Sequence, residues 1–132
     1  MAIVNTIKSL FPGFGAPTEY VSLLTEALTR NATSTHALTG FRNPIRSGRL
    51  RMKTISPPVA ATQVTGIKIV GDDGVTSVTL YQDTQARTAA ENIDLFFDFL
   101  SDLNLTTLTV SVTAANAGAA DQTADFEVAA NP

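Results

Sequence analysis

Cysteine and tryptophan are absent from this 132-residue chain, and histidine occurs once, as His36. Without cysteine there are no disulfides, no thiolate metal sites and no thiol nucleophile. A single imidazole excludes a multi-histidine metal cluster, and any nucleophile–imidazole–carboxylate triad must use His36. That residue closes the polar run Asn31-Ala32-Thr33-Ser34-Thr35, with no carboxylate near it in sequence, so it reads as exposed and non-catalytic. Charge is also sparse, at 16% of residues against the usual quarter. Long apolar runs are missing too. None approaches the 18 residues of a membrane-spanning helix, so no membrane partner is expected. Residues 1–11 lack a basic leader and are interrupted by Asn5, Thr6, Lys8 and Ser9, so no secretory signal is expected either. Gly13 and Gly15 lie in a segment with two prolines and no lysine, which excludes a phosphate-binding loop.

The charges that are present are segregated. Between positions 30 and 53 lie Arg30, Arg42, Arg46, Arg49, Arg51 and Lys53, with no Asp or Glu among them. From Ile69 onward the only basic residue is Arg87, set against Asp72, Asp73, Asp83, Glu91, Asp94, Asp98, Asp102, Asp121, Asp125 and Glu127. Surfaces of opposite sign attract partners, and copies of the same chain are the nearest ones available.

Hydrophobic spacing predicts the elements. Ile3, Ile7, Leu10 and Phe11 recur at helical spacing, and Pro12-Gly13 must end that helix. Thr18 can cap a second helix with Tyr20, Leu23, Leu24, Ala27 and Leu28 on one face. Residues 31–48 show no period and are punctuated by Gly40, Pro44 and Gly48, which predicts an extended basic arm lying on a neighbouring subunit. Arg49-Leu50-Arg51-Met52-Lys53 alternates strictly, so it is a strand with one cationic face, ended by Pro57-Pro58. Thr65–Val70 and Val75–Tyr81 flank Gly71-Asp72-Asp73-Gly74, a hairpin whose aspartates serve the turn and not a calcium ion. Thr88 and Glu91 have capping-box spacing, and Ile93, Phe96, Phe97, Leu100 and Leu103 follow as one helical stripe. On that reading Phe96 and Phe97 are both core, while Asp94, Asp98 and Asp102 repel one another at i, i+4 spacing on the solvent side. Leu105–Thr113 alternates as a strand, residues 116–122 form a small-residue loop, and Asp125–Val128 is a last short strand.

The expected architecture is therefore α+β: an antiparallel sheet of about four or five strands, one amphipathic helix packed across it, N-terminal helices and a long basic arm, in one domain of residues 1–132. No motif reports catalysis, a cofactor or a metal. The expected function is a non-enzymatic structural subunit that assembles with copies of itself or docks on another structural protein. Small size, absent cysteine, Thr/Ala-rich surfaces and a long arm suit a viral or phage coat or decoration protein, located in the virion or in the cytoplasm during assembly. The candidate interaction residues are Arg42, Arg46, Arg49, Arg51 and Lys53 against Glu91, Asp94, Asp98 and Asp102. One alternative is a nucleic-acid-binding module using the basic segment 30–53, which only Phe41 could supply with base stacking. Another is a small-ligand domain with a pocket lined by Tyr81, Phe96 and Phe97.

Overall fold

The computed structural model describes residues 18–54, 62–88, 93–116 and 122–132, and these residues are all β, with no helix among them. The strands are β1 (Glu19–Leu28), β2 (Ala32–Leu38), β3 (Ile45–Thr54), β4 (Thr62–Asp72), β5 (Ser77–Asp83), β6 (Arg87–Thr88), β7 (Asp94–Leu105), β8 (Thr107–Asn116) and β9 (Gln122–Asn131). Their antiparallel pairing is nested: β4 with β5, β3 with β7, β2 with β8, β1 with β9. Further pairing of β3 with β9 and β4 with β8 joins the hairpins into two sheets, ordered β1-β9-β3-β7 and β2-β8-β4-β5, with β6 beside β4. A long hairpin rolled over on itself in this way has the wiring of a jelly roll.

Alternation explains the core. Leu50 and Met52 of β3, Phe126 and Val128 of β9, and Val110 and Val112 of β8 all point between the sheets and are fully buried. Gly48 is needed where β3 meets β9, since a Cβ there would lie 2.5 Å from the Ala129 carbonyl oxygen, a backbone atom that cannot step aside. The hairpin around Gly71-Asp72-Asp73-Gly74 forms as expected. Gly74 takes φ 96°, and the Asp72 and Asp73 carboxylates accept the amides of Gly74, Val75 and Thr76. The strands expected around Arg49–Lys53, Leu108–Val112 and Asp125–Val128 are present as well.

The α+β expectation is overturned. The stretch predicted as the amphipathic helix is β7, the longest strand. Leu95, Phe97, Phe99, Ser101, Leu103 and Leu105 face inward, while Asp94, Phe96, Asp98, Leu100 and Asp102 face out. A spacing of four residues returns to the same face of a strand as well as of a helix, so the Asp94-Asp98-Asp102 series fitted both. The helical stripe mixed the two sides: Phe97 is 7% exposed and Phe96 is 56% exposed. The predicted capping residue Glu91 lies outside the described residues.

The helix expected after Thr18 is β1. Its register slips between Leu23 and Glu26, where Thr25 has φ 59°. Such a bulge shifts side-chain parity by one residue. Leu24 and Ala27, three apart across the bulge, then share the outer face, and the predicted helical stripe combined them with the inward Leu23 and Leu28. The predicted N-terminal helix at positions 3–11 lies outside the described residues.

The basic arm is corrected too. Asn31, at φ 53°, turns the chain from β1 into β2, and β2 is paired along its length with β8 of the same chain. Ile45 opens β3 and is fully buried. The alternation of β2 was hidden because two of its inward residues, Ser34 and His36, are polar.

Two stability measurements test this register. Phe97→Ala should cost about 3–5 kcal/mol and Phe96→Ala less than about 1 kcal/mol in denaturant unfolding, whereas a helix burying both would give similar large losses. Gln122 is fully buried, and neither its Oε1 nor its Nε2 meets a described hydrogen-bond partner. Gln122→Leu should therefore raise stability by about 1–3 kcal/mol, and a loss of that size would show that the amide is satisfied in solution.

Candidate functional site

Five of the charged residues singled out from sequence, Arg49, Arg51, Lys53, Asp94 and Asp98, converge on one surface, the outer face of the β1-β9-β3-β7 sheet. Strand pairing arranges it in rows. Tyr20, Ala129, Arg49 and Asp98 lie side by side across the four strands. The next row holds Ser22, Glu127, Arg51 and Phe96, and the one after it Asp125, Lys53 and Asp94. Cations therefore stand on β3 and acids on both flanking strands.

The side chains close into a ladder. Arg49 meets Asp98 with two parallel bonds of 2.6 and 3.1 Å, and Arg51 meets Asp94 likewise at 2.8 and 2.7 Å. Arg51 also donates to Glu127 at 3.2 Å, and the Tyr20 hydroxyl donates to the other oxygen of Glu127 at 2.6 Å. Phe96 lies beneath both guanidinium groups, 5.7 Å from that of Arg49 and 5.3 Å from that of Arg51. The Arg51 bond holds the Asp94 carboxyl below its ordinary range, and the Arg49 bond does so for Asp98. Tyr20 and then Arg51 lower Glu127, and Glu127 in turn raises the Tyr20 phenol.

Large apolar groups interrupt this ladder. Phe96 is 56% exposed, Tyr20 61%, Leu24 69% and Leu100 81%, and all four lie on this face. Two shallow concavities of about 160 and 120 Å³ flank the Arg51–Glu127 pair.

The other sequence candidates are distributed differently. Arg46 donates to the Asp102 carbonyl at 3.4 Å. Arg42 is exposed beside the buried Glu19, whose carboxylate accepts the Arg42 and Asn43 amides and the Asn43 side chain. Glu91 lies outside the described residues. Sequence reading missed Tyr20, Leu24, Phe96, Leu100 and Glu127. The signal for Phe96 and Leu100 was their place in the same alternation as Asp94 and Asp98, legible only once β7 is taken as a strand.

Two other arrangements bear on chemistry. His36 is buried, not exposed as expected: it stacks on Phe126 with ring centroids 4.6 Å apart, and burial lowers its pKa. Its Nε2 lies 3.0 Å from Ser34 Oγ and its Nδ1 3.7 Å from Glu26 Oε1. This has the order of a triad, but the carboxylate is beyond hydrogen-bond range and none of the three residues lines a described cavity. Tyr81 and Phe97, proposed to share a pocket with Phe96, pack together inside the sandwich while Phe96 stands outside, so no such pocket forms. An open groove of about 370 Å³ lies instead on the opposite sheet, lined by Thr33, Thr65, Lys68, Gln82, Ser111 and Thr113 among others.

No family model matches the sequence, and no curated protein matches it. Among solved structures the chain is similar to one described as "CBM4 structure and function". The two share 10% identity with a TM-score of 0.38, over 95% of this chain and 83% of the other. That likeness assigns no function.

The ladder has a pH signature. Asp94, Asp98 and Glu127 titrate lower in the fold than when unfolded, so the unfolded chain binds more protons as pH falls. The stabilisation is complete above the unfolded carboxyl values of about 4 and disappears as pH falls through the folded ones. The melting temperature should drop below about pH 4, and Arg51→Met should flatten that dependence. An unchanged acid profile in Arg51→Met would mean that the ladder does not persist in solution.

Proposed function

We propose that this chain is a non-enzymatic structural subunit that assembles with copies of itself or docks on a larger lattice, in the manner of a virion coat or decoration protein. The observation that carries the reading is the outer face of the β1-β9-β3-β7 sheet. Four large apolar side chains stand exposed there within a ladder of opposite charges. Exposed apolar groups framed by paired charges suit a protein interface, with the apolar groups supplying affinity and the charges orientation. Jelly-roll wiring is compatible with this role, being used by viral capsid domains, but lectins and cupins use it too, so it does not select among them. Against phosphate binding stands the intercalation of β3 cations with acids on both neighbouring strands, which leaves no continuous cationic track.

Sedimentation over a range of concentrations tests the proposal. The parent should form species larger than the 13.9 kDa monomer, and they should weaken as salt rises. Phe96→Asp with Leu100→Asp should leave the fold intact and shift the protein to monomer. A parent that stays monomeric at several hundred micromolar, at low and high salt, overturns the reading.

The groove on the β2-β8-β4-β5 sheet favours a second reading, a binding domain for a small polar ligand. Ser111, Lys68 and Gln82 offer hydrogen bonds there to a hydroxylated molecule, beside Thr33 and Thr113, whose hydroxyls bond each other. A thermal-shift screen with neutral saccharides should then raise the melting temperature of the parent but not of Lys68→Ala with Gln82→Ala.

A further inference from the structure

We infer that the β1-β9-β3-β7 face pairs with the same face of a second copy, about a two-fold axis running parallel to the strands between β9 and β3. This rests on the self-assembly proposed above and adds the partner surface and its symmetry.

The argument comes from the register. A two-fold axis parallel to the strands keeps every residue at its own height and exchanges the columns on either side of the axis. Placed between the two central strands, it sets β9 over β3 of the second copy and β1 over its β7. Glu127 shares a row with Arg51, and Asp125 shares one with Lys53. The operation therefore lays Glu127 over Arg51 of the second copy and Asp125 over Lys53 of the second copy, and both contacts repeat by symmetry. Like charges never face each other in these rows. In the Arg51 row, Phe96 arrives over Ser22 of the second copy, a small residue that leaves space for the ring.

The alternatives are less complementary. An axis between β3 and β7 would leave Tyr20 and Leu24 of β1 outside the contact, although both are largely exposed. Edge-to-edge pairing of β7 with β7 would align one series of aspartates with another. The central axis sets Tyr20, Leu24 and Phe96 within the contact, with Leu100 at its end in the row of Ser47 and Asn131, and it is isologous, so assembly through this face closes at two copies. Aligned sheets pack about 10 Å apart with strand directions within about 30°, which keeps the rows in approximate register.

The natural lack of cysteine makes a cross-linking test clean. Chains carrying Ser22→Cys are mixed with chains carrying Phe96→Cys and treated with a bis-maleimide spanning about 10 Å, the sheet-to-sheet distance. The mixture should give a cross-linked heterodimer, while each variant alone should give little, because like positions lie on opposite sides of the axis. A second experiment avoids altering Phe96. Asp125→Lys with Glu127→Lys places cations on both central strands, and Arg51→Glu with Lys53→Glu places acids on both. Each variant should sediment as a folded monomer, checked by circular dichroism, and an equal mixture should restore the dimer at low salt. Cross-linking of each variant alone at the level of the mixture overturns the proposed axis. If the parent assembles and both charge variants assemble as well as it does, this face is not the interface, although self-assembly stands. A parent that is monomeric throughout removes the assembly reading itself.

Discussion

Strand β3 is hydrogen-bonded on both sides, to β7 and to β9, and the organisation of the molecule depends on that position. Its inward residues Leu50 and Met52 are fully buried at the centre of one layer of the sandwich. Its outward residues Arg49, Arg51 and Lys53 are thereby placed between two columns of carboxylates. A one-residue slip would bury three cations and expose two core residues, so hydrophobic burial and charge pairing specify the same register. Gly48 reinforces it, since any side chain there would strike the backbone of β9.

This placement also resolves the apparent conflict in the acidic segment. Along a helix, Asp94, Asp98 and Asp102 would repel one another with no cation nearby. On β7 they are spread along a strand, and Arg49 and Arg51 of the adjacent strand neutralise two of them. Exposed, solvent-screened pairs contribute little, so the ladder is a minor source of fold stability beside the core. Its effect is geometric. Bidentate guanidinium–carboxylate contacts fix the orientation of both arginines, and those groups in turn cover part of Phe96.

The two outer faces of the sandwich differ in kind. One carries fixed charge, two exposed aromatic rings and two exposed leucines, and is suited to a partner as extensive and as ordered as itself. The other carries Thr and Ser side chains, Lys68 and Gln82 around an open groove. The interior between them is filled by aliphatic and aromatic side chains, with His36 held against Phe126 where burial disfavours its charged form. Recognition therefore has two candidate surfaces among the described residues.

Sequence alone determined the strands whose alternation is clean: Arg49–Lys53, the hairpin around Asp72-Asp73, Leu108–Val112 and Asp125–Val128. It also determined the segregation of charge that singled out Arg49, Arg51, Asp94 and Asp98. It failed where period two was masked. A bulge at Leu24-Thr25 broke the alternation of β1, polar inward residues hid that of β2, and a four-residue repeat made β7 indistinguishable from a helix. Only the tertiary structure decided that the basic and acidic segments, more than forty positions apart, are adjacent strands of one sheet. Only it decided that Phe96 and Phe97, neighbours in the chain, serve opposite sides. Side-chain facing in a strand is set by which neighbours complete its hydrogen bonds, and those partners are remote in sequence.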